Sequence, residues 1–225
     1  MRTYVITYNS YDHLIPGFAY LFNKYWDSEM PVTVLGFREI PDLPANFEVQ
    51  VMEGGSEQKD WTNTLRSVFA NCEHPYFALL LDDYWLTRPI DLDRITQLEG
   101  TLKEGAVKLD LSNNSYSFGC SPFHHDMIMA SQRAKYRTSL QPAIWTRDYF
   151  LRFLQPDWSP WDFERLGSRR ANNDGGCIVG YRNAVYNYAN IYKRGKLNRG
   201  EVAKLAHADM AELQAQGMCG FLETD

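Results

Sequence analysis

Two stretches set carboxylates beside large aromatic side chains in a way that architecture alone does not demand. The first is Leu79-Leu80-Leu81-Asp82-Asp83-Tyr84-Trp85-Leu86. Three leucines read as the end of a buried strand, and such a strand does not hold two carboxylates unless something compensates their charge. One acid suffices to cap a turn, and two adjacent acids repel. A divalent cation joining carboxylate oxygens to diphosphate oxygens would use both the charge and the position, whereas a local cap by Asp82 or Asp83 is the plainer alternative. The second stretch is Ser159-Pro160-Trp161-Asp162-Phe163-Glu164. Its first four residues form a capping box with proline at the first helical position, which accounts for Asp162 without any chemistry. Glu164 lies outside that motif and is either a general base or a solvated helix residue. In a regular helix positions 162 and 164 lie about 200° apart, so only one of them can face a given ligand.

Other residues could join these. Thr7-Tyr8-Asn9-Ser10 follows the first strand, where hydroxyl and amide groups can read a ribose or base and Tyr8 can stack on it. A plain turn capped by Ser10 or Asp12 is the alternative. In Tyr192-Lys193-Arg194-Gly195-Lys196 the three cations suit a phosphate and Gly195 lets the backbone approach it, or the segment is a solvated basic turn. His124-His125-Asp126 has metal-ligating residue types, but adjacent histidines on a strand point apart, so a loop touching a ligand is the better expectation. Arg169-Arg170 reads as a surface pair at a helix C-terminus.

The elements that must position these groups alternate along the first ninety residues. Tyr4 to Thr7, Val32 to Leu35 and Phe47 to Val51 read as strands. Leu14, Phe18, Leu21, Phe22 and Tyr25, then Trp61, Leu65, Val68 and Phe69, recur at helical spacing. Tyr76 to Leu81 is apolar almost throughout, as expected of a central strand covered on both faces. Strands alternating with helices predict an α/β sheet with crossover helices, and ligands of such sheets bind beyond the carboxyl ends of the strands. Thr7 and Asp82 both leave their strands at that edge. The second half is less regular. Ala106 to Leu109 reads as a strand, residues 112–135 as a loop or hairpin, and Leu140 to Trp145 as a strand interrupted by Pro142. A helix capped by Thr146 is expected to run to about Leu154, a further strand to lie within Ile178 to Tyr192, and a C-terminal helix to occupy 199–216.

The 225 residues suit one domain, with a formal net charge of −5 that argues against binding nucleic acid by charge alone. The cysteines at 72, 120, 177 and 219 have neither metal-ligand nor redox spacing, which predicts a reducing, cytoplasmic setting. No apolar run approaches the roughly 18 residues that span a membrane, and the first residues enter a strand at once, with no signal peptide expected.

The run from Tyr76 to Asp91, together with Ser139-Leu140-Gln141-Pro142-Ala143-Ile144-Trp145 and Ser159 to Glu164, resembles small bacterial and phage glycosyltransferases of the GT-A fold. The likeness extends in order from about residue 3 to 200. It implies a Rossmann-like mixed sheet flanked by helices, with a nucleotide-sugar half at 1–95, an acceptor half at 96–200 and a C-terminal helix and tail at 201–225. It implies transfer of a sugar from a UDP- or GDP-sugar to a hydroxyl of a glycan, a lipid-linked sugar or a modified nucleobase, and a carboxylate near the acceptor points to inversion; a lipid-linked acceptor would place the protein peripherally at a membrane. Thr7, Tyr8, Asn9, Asp82, Asp83 and Lys196 are then expected at the donor, with Asp83 on a divalent cation, Mn²⁺ or Mg²⁺. Tyr84, Trp85 and Trp161 are expected at the acceptor, and Asp162 or Glu164 as the base. The family's acidic motif is Asp-X-Asp, whereas here the acids are adjacent. Two alternatives remain. One is a sugar nucleotidyltransferase, although the glycine-rich basic loop expected after the first strand is missing. The other is a carbohydrate-binding module that kept the fold without the chemistry.

Overall fold

The computed structural model describes residues 1–53, 60–113, 119–193 and 195–222. Strands β1 (Arg2–Ile6), β2 (Val32–Gly36), β3 (Phe47–Val51) and β4 (Tyr76–Leu81) form the parallel part of a nine-stranded sheet. Helices α1 (Ile15–Tyr25) and α2 (Trp61–Ala70) cross between them. After β5 (Tyr84–Leu86) and α3 (Leu92–Leu102) come β6 (Ala106–Asp110), β7 (Cys120–Pro122), β8 (Met127–Ala130), β9 (Ala143–Thr146), α4 (Arg147–Leu151) and β10 (Cys177–Tyr181). The strand order is β3-β2-β1-β4-β9-β6-β10-β8-β7. β9 runs antiparallel between β4 and β6, β10 is parallel to β6, and β7 and β8 close the edge as an antiparallel hairpin. The sheet is therefore mixed.

The pleat explains why β1 and β4 are apolar throughout. Val5, Ala78 and Leu80 enter a core shared with α1 and α3, while Tyr4, Ile6, Phe77 and Leu79 enter a second core with α2 and α4. Successive residues point to opposite faces of a strand, so a sheet covered on both sides needs apolar residues at every position. The second core is largely aromatic: Phe69 stacks on Phe77 with ring centroids 4.3 Å apart, and Phe150 meets both edge-on.

A two-stranded sheet outside the main one pairs β5 with β11 (Tyr188–Asn190). A short hairpin of β12 (Tyr192–Lys193) and β13 (Lys196–Leu197) follows it. The expected strand at 140–145 begins later, at Ala143, because Pro142 has no N–H to give to a ladder. Thr146 holds the N-cap position of α4, but its hydroxyl donates to the Val107 carbonyl at 3.1 Å and makes no capping bond, and the helix stops at Leu151. The expected helix at 199–216 is two, Arg199–Val202 and His207–Ala215, because Ala206 is extended and Leu205 turns into the core. The second of these docks on α1 through buried Asp209, which accepts from Tyr25 Oη at 2.7 Å and pairs with Lys24 Nζ at 2.8 Å.

Candidate active site

β1 and β4 pair in parallel with Ile6 opposite Leu81, so Thr7 and Asp82 leave the sheet side by side. The ladder runs one step further, with Asp82 N–H donating to the Ile6 carbonyl at 3.2 Å. The next residue turns away: Asp83 is a corner between β4 and β5. The corner is braced from behind, where Trp85 Nε1 donates to the Asp82 carbonyl at 3.1 Å and Ile191 N–H donates to the Asp83 carbonyl at 2.8 Å. The Trp85 ring packs on Gly17 of α1, where any Cβ would overlap it.

The corner holds a buried carboxyl and a half-buried one, each with one buried oxygen left without a partner. Asp82 is 7% exposed, and its Oδ2 has no hydrogen-bond partner among the described residues. Asp83 Oδ1 likewise has none, while its Oδ2 lies 3.1 Å from the Asn190 side-chain amide, whose nitrogen donates to it once the amide is turned over. Burial, and then the charge of Asp83, raise Asp82 well above the usual carboxylate range; the Thr7 hydroxyl and the Tyr8 N–H pull it back only in part. Burial also raises Asp83. Neither acid caps a helix; both lie in the short turn between β4 and β5. Tyr8 lies beside Phe37, ring centroids 5.8 Å apart, and its buried hydroxyl is also unpartnered. Burial and the Asp82 charge push that phenol up. Asn9 is exposed, and its carbonyl accepts from Arg38 at 3.2 Å. Arg38 also pairs with Asp12, so Asp12 serves this contact and not a cap.

The β12–β13 hairpin stands over the corner. Its Tyr192 ring meets Tyr11 at 5.5 Å, and Tyr11 in turn feels the charges of Asp82 and Asp83. Gly195 turns the hairpin at φ 76°. Exposed Lys193 and Lys196 are thus on a segment next to the carboxyls; Arg194 lies outside the described residues.

The other acidic stretch divides its two carboxylates. Ser159 caps the helical run and Asp162 completes the capping box: Ser159 N–H and Oγ both donate to Asp162 Oδ2, at 3.2 and 2.7 Å. From Phe163 to Gly167 the chain takes a π-helical turn, a rare geometry common at functional sites. Thr138 is wedged against this turn, its Oγ1 donating to the Phe163 carbonyl at 2.8 Å, and a Cβ on Gly167 would meet that Oγ1 at 2.7 Å. Glu164 faces inward, and its Oε1 accepts from Leu140 N–H at 2.8 Å. Burial raises Glu164, opposed by that N–H and by the Lys108 charge.

One residue links the two stretches. Tyr84 follows Asp83 and lies under the influence of Asp83, Tyr188, Glu164 and Asp82 together. Its hydroxyl accepts from Gln141 Nε2 at 3.0 Å, its ring lies 4.5 Å from that of Tyr188, and Tyr188 Oη donates to Gln141 Oε1. Lys108 holds the segment that carries Leu140 and Gln141. It is wholly buried, donating to the carbonyls of Ser139 at 3.0 Å and Arg137 at 3.3 Å and lying 4.5 Å over the Trp145 ring, and burial lowers it to about 8. The structure thus brings Thr7, Tyr8, Asp82, Asp83, Tyr84 and Glu164 into one region.

The fold is similar to that of solved structures of TarS from S. aureus, a glycosyltransferase. TarS 1-349 matches at 14% identity with a TM-score of 0.53, over 82% of this chain and 58% of that one. Its complex with UDP matches at 14% and 0.54 over the same shares, and its complex with UDP-GlcNAc at 14% and 0.55 over 85% and 58%. The fold is that of a GT-A glycosyltransferase. At this identity the likeness concerns the fold alone, and the chain spans little more than half the length of these TarS structures. No family model and no curated protein matches the sequence.

Within the GT-A framework some expected site residues lie elsewhere. Trp85, expected at the acceptor, is 0% exposed and braces the corner from within the core. Asp162 is engaged by its own helix start. Trp161 is 53% exposed, beside that cap. His124 pairs with Glu104 at 2.9 Å, and among the described residues no group of three or more His, Cys, Asp or Glu is placed to hold a metal ion. Tyr11, Lys108, Gln141, Tyr188 and Asn190 were not singled out from sequence, because each matters through a partner distant along the chain. Among the described residues no helix is long and apolar enough to cross a membrane.

Proposed function

We propose that the chain is a glycosyltransferase that moves a sugar from a nucleotide-sugar donor to an acceptor hydroxyl, with inversion. The observation that carries this reading is the pair of buried, unpartnered carboxyl oxygens of Asp82 and Asp83, side by side at the carboxyl edge of a GT-A sheet. Two adjacent acids, each with a buried oxygen left without a partner, are costly unless a ligand answers them. Residues that hold strongly shifted carboxyls in such a place are candidates for function.

The donor set fits a divalent cation. Hard carboxylate oxygens suit Mg²⁺ or Mn²⁺, which take one or two carboxylates and complete their shell with phosphate oxygens. Asp83, with Asp82 behind it, would hold the ion, and when bound it would neutralise charge on the diphosphate. Thr7 and Tyr8 would receive the nucleoside, Tyr8 and Phe37 offering an aromatic wall. Lys193 and Lys196 would meet charge gathering on the departing diphosphate.

Glu164 is the base in this reading. It takes the proton from the acceptor hydroxyl as that oxygen attacks the anomeric carbon. The carbon–oxygen bond to the diphosphate breaks, and the nucleoside diphosphate leaves with the electron pair. The Leu140 N–H occupies one carboxylate oxygen, fixing its direction, and Lys108 favours the ionised form that a base needs. The engagement of Asp162 Oδ2 by Ser159 N–H and Oγ favours Glu164 over Asp162 in this role.

The test is hydrolysis and transfer across a panel of UDP- and GDP-sugars, with manganese and with chelator. Turnover with at least one donor is expected. No turnover and no donor-dependent thermal shift with any of them would overturn the reading.

A further inference from the structure

Tyr84 feels both carboxylate stretches, yet the proposed reaction leaves it without a part. It follows Asp83 on β5 and is 6% exposed. Its backbone is pinned, with Asn190 of β11 as register partner and its carbonyl accepting from Tyr186 Oη at 2.8 Å. The side chain is pinned as well. Its ring lies 4.5 Å from that of Tyr188, and both hydroxyls meet the side-chain amide of Gln141. Gln141 is itself anchored, its backbone N–H donating to Ser139 Oγ at 3.0 Å.

The order of these bonds decides where the Tyr84 proton goes. An amide side chain offers an acceptor oxygen on one side and a donor nitrogen on the other. Tyr188 Oη donates to Gln141 Oε1, so the nitrogen faces Tyr84 and donates to its Oη at 3.0 Å. The Tyr84 hydroxyl therefore accepts within this chain of bonds, and its own proton is left to point elsewhere. Among the described residues nothing accepts it. Tyr181, at the end of β10, shows the ordinary arrangement: its Oη donates to Gln97 Oε1 at 2.8 Å. A buried donor without an acceptor is costly. Asp82, Asp83 and Glu164 all act on Tyr84 electrostatically, but none is hydrogen-bonded to it.

The proposed transfer offers two oxygens that this proton could meet. The attacking hydroxyl oxygen needs its lone pair for the anomeric carbon, so a proton donated to it would oppose the attack. The diphosphate oxygen on the other side of that carbon gains charge as its bond breaks, and a preorganised donor there acts most strongly in the transition state. Tyr84 also follows directly on Asp83, the residue that would hold the diphosphate's cation.

We infer that Tyr84 is a catalytic residue whose hydroxyl donates a hydrogen bond to the diphosphate oxygen leaving the anomeric carbon, with Gln141 and Tyr188 as positioning residues that turn its proton toward that oxygen. The carbon–oxygen bond breaks with its electron pair on the oxygen; the proton stays on Tyr84 and the hydrogen bond strengthens. This rests on the reading of the chain as a glycosyltransferase with a nucleotide-sugar donor.

The experiment joins kinetics to a spectroscopic probe on the full chain. The variants are Tyr84→Phe, Gln141→Leu, and Tyr181→Phe as a control that removes a hydroxyl bonded to a different glutamine. kcat and both KM values are measured with whichever UDP- or GDP-sugar the parent turns over. Tyr84→Phe lowers kcat by about 10²-fold, with both KM values within a few-fold of the parent's and a parent-like melting temperature. Gln141→Leu lowers kcat by less, and Tyr181→Phe leaves it unchanged. In a further protein 3-fluorotyrosine replaces Tyr84, and its fluorine resonance is followed on adding UDP, GDP, UMP and GMP. It moves with at least one diphosphate and not with the corresponding monophosphate, which lacks the oxygen in question. A kcat for Tyr84→Phe within about threefold of the parent's would overturn the assignment. So would a fluorine resonance that responds alike to mono- and diphosphates, or a loss confined to the acceptor KM. A parent that neither turns over any donor nor binds any nucleotide overturns the donor reading and this assignment with it; an active parent beside an unimpaired Tyr84→Phe overturns this assignment alone.

Discussion

The Asp82–Asp83 corner and the 159–164 helix start both present carboxylates beside tryptophan, and the fold treats them in opposite ways. At the helix start, Asp162 has a partner three residues away and satisfies it fully. At the corner, the ladder and the Trp85 indole engage backbone carbonyls, and one oxygen of each acid, Asp82 Oδ2 and Asp83 Oδ1, is left over. Glu164 lies between these cases, half-buried with one N–H from the distant Leu140 and an electrostatic tie to Lys108. A carboxylate that its own segment satisfies belongs to architecture, and one that is buried and left over belongs to chemistry.

That contrast can be broken most sharply by paired amide substitutions. Glu164→Gln keeps the contact with Leu140 N–H and removes the base, so kcat falls by about 10²–10⁴-fold with little change in melting. Asp162→Asn does the reverse: kcat holds within a few-fold, and stability drops by about 1 kcal/mol as the cap weakens. Equal kinetic losses in the two would dissolve the distinction.

Next in size are Asp82→Asn and Asp83→Asn, each expected to lower turnover by about 10²–10³-fold while stabilising the ligand-free protein at pH 8. The sign follows from the raised carboxyls. A folded-state value above the unfolded one contributes stability in acid that is lost as pH rises through the folded value. The amides escape that loss, so their advantage in Tm is larger at pH 8 than at pH 5. About 1 kcal/mol would appear as roughly 2–4 °C at this chain length. A lower Tm for both amides at pH 8 would contradict the account.

The pH profile of kcat sharpens the role of Glu164. Because burial raises it, the rate rises with pH through a value above that of an ordinary glutamate, and Glu164→Gln removes this limb. Smaller still, Gly167→Ala should cost about 1–3 kcal/mol by pressing on Thr138, with a loss in kcat that tracks the displaced Glu164.

Much of the first half was legible because its signals are local. Apolar continuity at 76–81 marks a strand covered on both faces, and two acids directly after it mark its open edge. Helical spacing located α1 and α2. The capping box was readable residue by residue. Trp85 was misplaced because a tryptophan beside two aspartates looks the same in sequence whether it faces a ligand or Gly17, which is far away along the chain. The π turn at 163–167 left no periodic mark, since it is set by Thr138 packing on Gly167. Lys108 reads as a strand residue of a half-exposed face, and its burial depends on carbonyls at 137 and 139 that only the folded loop supplies.

The most direct measurement is calorimetric titration of UDP and of GDP into the protein with manganese at neutral pH, repeated in buffers of different ionisation enthalpy. If the unpartnered oxygens of Asp82 and Asp83 receive the cation and diphosphate, at least one nucleotide binds with release of protons from the raised carboxyls, and both binding and release diminish in Asp83→Asn. Binding that releases no protons and is indifferent to that substitution, or no binding of either nucleotide, would contradict the account.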